Sequence, residues 1–135
     1  MIVGLNHLGI CAHDGDAALK LLVKSMGAKI KTEKRTEYPD RGQISTYAEL
    51  CDGTEYEIME PFGEGPGVVR SFLEKNGEGF HHISLLTDDL DADCAAFEAA
   101  GCKIIGKMEG TLAFVHPKGT GGILYELVDK TAAGK

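Results

Sequence analysis

The chain repeats itself once. Its first half runs His7-Leu8-Gly9-Ile10, Asp16-Ala17, Gly27-Ala28-Lys29-Ile30 and Tyr56-Glu57-Ile58; its second runs His82-Ile83-Ser84-Leu85, Asp91-Ala92, Gly101-Cys102-Lys103-Ile104 and Tyr125-Glu126-Leu127. Order is kept, and the offset shortens slightly along the chain, as loop deletions would make it. A period this long with only two copies is a duplicated half-domain and not a solenoid. With 135 residues, the chain is expected to form a single domain, with repeat 1 at about 1–60, a link over 61–79 and repeat 2 at about 80–130.

Both halves read as βαβββ. Val3–Cys11 is a strand carrying His7. Asp14-Gly15-Asp16 opens a helix that runs to about Met26, with Ala18, Leu21, Leu22 and Met26 at helical spacing and Gly27 as its stop. Lys29–Thr36, Gln43–Leu50 and Thr54–Met59 are strands, separated by turns at Tyr38–Gly42 and Cys51–Gly53. Glu60–Gly67 links the halves, and Val68–Asn76 is a short helix. In the second half His81–Thr87 is a strand, Asp88 and Asp89 cap a helix ending before Gly101, and strands follow near 102–108, 111–116 and 123–129. The expected fold class is α+β, two βαβββ repeats forming a curled mixed sheet around a metal site.

The metal expectation comes from the strand period. Side chains alternate faces along a strand. His7 shares a face with Leu5, Gly9 and Cys11, and His82 with Ser84 and Leu86. Glu57 shares one with Glu55 and Met59, and Glu126 with Leu124 and Val128. Each histidine sits on the first strand of its half and each glutamate on the last. Carboxylates on a buried strand face are costly unless paired or metal-bound. A divalent cation held by His7, Glu57, His82 and Glu126 resolves that cost for all four. An N₂O₂ set suits Co²⁺, Ni²⁺, Zn²⁺, Mn²⁺ or Fe²⁺. A lone strand histidine is usually an ordinary core or surface residue; the recurrence of both residue types at matching places changes the odds. His81 competes for the ligand role but points to the opposite face, and His13 and His116 are read as surface residues.

Composition narrows the partners. A net charge of −7 disfavours nucleic acid, which needs a basic face, while leaving room for an anionic small substrate. No apolar run reaches the ~18 residues of a membrane span. Met1–Leu5 lacks a basic region followed by an apolar stretch. The expected setting is cytoplasmic. The four cysteines, Cys11, Cys51, Cys94 and Cys102, include no CxxC pair and are read as free thiols.

These residues resemble the vicinal oxygen chelate superfamily, which includes glyoxalase I, methylmalonyl-CoA epimerase, extradiol dioxygenases and bleomycin-resistance proteins. The resemblance covers nearly the whole chain. It is closest to the methylmalonyl-CoA epimerase branch in Phe72–Ile83 (FLEKNGEGFHHI), Asp88-Asp89-Leu90 and Phe114–Leu127 (FVHPKGTGGILYEL). It implies the same four ligands and a metal-dependent isomerase moving a proton alpha to a thioester carbonyl. The resemblance further implies Glu126 or Glu57 as the base, a CoA thioester as substrate and a homodimer as the assembly. Lys118, in the turn leading into the Glu126 strand, is the expected substrate contact. Three features depart from the branch: the short Lys107–Thr111 stretch, Leu21–Lys24 where the superfamily often has an aromatic pair, and Ser45 where some epimerases carry a second glutamate. Alternatives are a glyoxalase-I-like lactoylglutathione lyase, an extradiol-type dioxygenase, and a non-catalytic drug-binding protein.

Overall fold

The computed structural model describes residues 1–135 and traces βαβββ twice, with an extra helix between the copies. The architecture is α+β with mixed strand pairing. By internal packing the chain forms two compact units, a medial one of Leu8–His81 and a terminal one of Met1–His7 with His82–Lys135. Two strands, β1 (Ile2–Cys11) and β5 (Gly79–Thr87), contribute residues to both.

In the medial unit, α1 (Gly15–Met26) follows β1, and β2 (Lys29–Tyr38), β3 (Gln43–Glu49) and β4 (Glu55–Pro61) complete the sheet in the order β2-β3-β4-β1. The hairpin pairs are antiparallel, and β4 returns parallel to β1, with Gly9 opposite Glu57 and Cys11 opposite Met59. The strand β4 runs through Pro61, beyond the expected end at Met59. Asp14 caps α1 by accepting a hydrogen bond from the Ala17 amide, and Gly27 closes it at φ 67°, a left-handed conformation that glycine adopts without strain. One expectation needs correction. The buried face of α1 is Gly15, Leu19 and Leu22, whereas Leu21 and Met26 are exposed. Leu21 lies roughly 200° around the helix from Leu19, and Met26 is the last helical residue, where the chain turns away. Leu19 and Leu22 pack with Ala12, Ala28, Ala48 and Ile58. A second helix, α2 (Val68–Asn76), places Val69 and Leu73 on Cys11 and Met59.

In the terminal unit, α3 (Leu90–Ala99) follows β5, and β6 (Ile104–Met108), β7 (Leu112–Val115) and β8 (Tyr125–Asp129) give the order β1-β5-β8-β7-β6. Here β8 is parallel to β5 and antiparallel to β7. Gly106, at φ 58°, sits where the β6–β7 register shifts by one residue, a bulge that requires a left-handed residue. Asp89 caps α3 through the Ala92 amide. The core is Leu90, Cys94, Ala113, Val115 and Leu127. Leu127 is fully buried, so Leu127→Ala is expected to cost about 2–5 kcal/mol, read as a lower urea midpoint.

This packing orients the site residues. In β8, Leu127 faces α3, so Glu126 faces away from it. In β4, Ile58 packs with the α1 cluster, so Glu57 faces away from α1.

Candidate metal centre

Three of the predicted ligands meet in the terminal unit. His7, His82 and Glu126 bring their ligand atoms within 4.8 Å of one another. The two Nε2 atoms are 3.0 Å apart, with the rings at 79°, and His7 Nε2 lies 3.7 Å from Glu126 Oε1. Both histidines are buried. A cation holding two imidazoles at about 2.1 Å and a right angle needs nitrogens about 3.0 Å apart. The spacing therefore fits a metal, and equally a proton shared between the rings. The adjoining carboxylate favours the metal ion, because it supplies a third donor that a proton bridging two nitrogens would not coordinate. The donor set fits the borderline divalent ions named above.

Glu126 is held from behind. Ser84, fully buried and directly opposite it in the β5–β8 register, donates to Oε1 at 2.6 Å. Asn6 Nδ2 donates to Ser84 Oγ at 3.1 Å, and Lys135 Nζ donates to Asn6 Oδ1 at 3.0 Å. This chain fixes the carboxylate's rotamer, as outer partners of a metal ligand do. Alternation had placed Ser84 on the His82 face. Asn6 carried no signal, since its contact depends on β1 and β5 being neighbours.

Glu57 belongs to the medial unit. It is buried, and Tyr47, opposite it in the β3–β4 register, donates its hydroxyl to Oε2 at 3.1 Å. The nearby buried Glu55 is neutralised by Lys34, whose Nζ donates to both its oxygens at 2.8 and 2.9 Å. That ammonium also lies 5.4 Å from the centre of the Tyr47 ring. Ser45 is fully buried and accepts from the Gln43 amide at 3.0 Å, so a hydroxyl stands at the position noted above as a departure from the epimerase branch. Sequence reasoning missed Tyr47, whose contact requires the β3–β4 register, and Gln43, which shares a face of β3 with Ser45.

The remaining candidates separate clearly. His81 lies on the alternate face of β5 from His82 and packs edge-on against Phe72, with ring centres 4.9 Å apart. Burial lowers its pKa, and the Glu57 charge opposes that shift. All four cysteines are free. Burial, helped by Glu57, pushes the Cys11 thiol up to about 12, so it is inert at neutral pH. His13 is exposed, as expected, while His116 is half-buried and accepts from the Lys118 amide through Nδ1. Lys118 lies in the turn Pro117–Gly119 and lines a surface pocket.

The glyoxalase/bleomycin resistance protein/dioxygenase superfamily model matches residues 6–113. The chain belongs to this superfamily. Within it, the ethylmalonyl-CoA/methylmalonyl-CoA epimerase of Cereibacter sphaeroides is 33% identical over 94% of this chain and 98% of its own length. The crystal structure of methylmalonyl-CoA epimerase from Mycobacterium tuberculosis superposes with a TM-score of 0.81 at 29% identity, covering 98% of this chain and 93% of that one. A variant of Streptomyces coelicolor methylmalonyl-CoA epimerase in complex with 2-nitronate-propionyl-CoA gives 0.79 at 29% identity, covering 96% and 95%. As a member of the superfamily, the chain keeps the α+β repeat expected from its sequence. No helix is long and apolar enough to cross a membrane.

Proposed function

We propose that this protein is a metal-dependent epimerase that moves a proton alpha to a thioester carbonyl, with methylmalonyl-CoA as the simplest substrate. The observation that carries the reading is the trio of buried His7 and His82 with partly buried Glu126, and Ser84 aligned on Glu126, in a chain 33% identical to an acyl-CoA epimerase over nearly its whole length. Glu57 is assigned as the fourth ligand, and the chain acts as one two-repeat domain, assembled as a homodimer. Its four free thiols accord with a cytoplasmic setting.

A thioester alpha-proton is too weakly acidic to leave unaided at neutral pH. A divalent cation bound by these residues supplies Lewis-acid stabilisation of the negative charge that develops on the carbonyl oxygen. Glu126 takes the proton, because its carboxylate is held in one orientation beside the two histidines. Glu57 is the second carboxylate for return of the proton from the other face, and inversion needs two such groups or one mobile one. Lys118 contacts the anionic part of the substrate. A glyoxalase-type isomerase is the second reading. Ser45 favours it, since a hydroxyl there leaves no additional carboxylate at that position of β3, and isomerisation of a hemithioacetal needs only one acid on each side of an ene-diolate.

Proton exchange separates the two. In deuterium oxide the metal-loaded protein is expected to wash deuterium into C2 of methylmalonyl-CoA and to interconvert its epimers. No exchange, with turnover of methylglyoxal–thiol adducts, would replace the first reading by the second.

A further inference from the structure

A cluster of positive charge lies apart from the trio. Lys103, Lys118 and His116, with Gly101 and Gly119, line a surface pocket of about 450 Å³ in the terminal unit, and no carboxylate lines it. The protein carries a net charge of −7, and its other cations often find acidic partners: Lys31 meets Glu49, Lys34 meets Glu55, and Lys107 meets Asp91. Lys103 and Lys118 make no such pair, and both are exposed. Two ammonium groups that line one pocket with no acidic partner make it a favourable place for an anion.

The backbone sets the arrangement. The His116 amide donates to the Lys103 carbonyl at 2.8 Å, adding one rung to the β6–β7 ladder. The turn after His116 is held tightly, because a Cβ on Gly119 would sit 3.0 Å from Cys102 Cα. His116 Nδ1 accepts from the Lys118 amide at 3.0 Å. The ring proton of the neutral imidazole is thereby assigned to Nε2, leaving a donor as the ring's other polar group. Three donors and no acceptor side chain line the pocket. His116 follows directly on β7, whose Phe114 is opposite Glu126 in the β7–β8 register.

We infer that Lys103, Lys118 and His116 form an anion pocket for a phosphoryl group carried by the substrate. This rests on the thioester reading, since CoA brings phosphates to a protein that is otherwise acidic. The inference adds Lys103 and His116 to the expected Lys118 contact and places them in one pocket.

The test titrates adenosine 3′,5′-bisphosphate into the metal-loaded full chain, followed by calorimetry and backbone amide shifts. The shifts are expected to centre on Gly101, Lys103, Lys118 and Gly119. The Kd is expected to rise about tenfold in Lys103→Gln and in Lys118→Gln, as for losing a charged hydrogen bond, and further in Lys118→Glu at low salt. Wild-type affinity in both glutamine variants, or shifts centred elsewhere, overturns the pocket. Bisphosphate binding at these lysines in a protein that exchanges no CoA thioester would remove the thioester reading and keep the pocket. Turnover of CoA thioesters with the same KM in wild type and Lys103→Gln would keep that reading and remove the pocket.

Discussion

His82→Ala is expected to cost the protein its tightly held divalent ion, taking metal content from about one per chain to near zero after dialysis against a weak chelator. The imidazole is one of two nitrogen donors in the trio, and its Nε2 stands 3.0 Å from that of His7. Outer partners of a metal ligand are alone worth about 10- to 100-fold in affinity; loss of a direct donor exceeds that. His81→Ala is the matched control. His81 packs edge-on against Phe72, so its loss is expected to loosen that packing and leave metal content at the wild-type level. The paired outcome depends on strand register, because a slip of one residue exchanges the faces of β5. Metal analysis on both variants decides it, and an empty site in His81→Ala with a full one in His82→Ala would reverse the ligand assignment.

Glu126→Gln is expected to reduce proton exchange by about a hundredfold or more, the scale of removing a general base. The substitution is nearly isosteric and keeps a carbonyl oxygen to accept the Ser84 hydroxyl, now 2.6 Å from Glu126 Oε1. The fold is therefore expected to persist, checked by an unchanged urea midpoint. Because Glu126 is also an assigned ligand, metal must be counted on the same sample, and the rate compared per bound ion. A variant with full metal and a full exchange rate would exclude Glu126 as the base. Glu57→Gln then becomes the decisive variant, and its carboxylate has its own orienting group in Tyr47.

The sequence by itself determined the elements and their faces. The duplicated order, the period-2 alternation around His7, His82, Glu57 and Glu126, the capping aspartates Asp14 and Asp89 and the stop at Gly27 are local signals, and each appears in the structure. Local signals misjudged α1, where apolar residues at helical spacing include the exposed Leu21 and Met26; periodicity shows where apolar residues recur, while the sheet decides which of them it covers. What brings groups together belonged to the tertiary structure alone. The 3.0 Å approach of His7 and His82, the Asn6–Ser84–Glu126 chain, the Tyr47 hydroxyl on Glu57 and the placing of Lys103 and Lys118 on one pocket all depend on which strands are neighbours and in what register. The alternation of side chains is a property of one strand, readable residue by residue, whereas pairing partners far apart in sequence are selected by the packing of the whole chain.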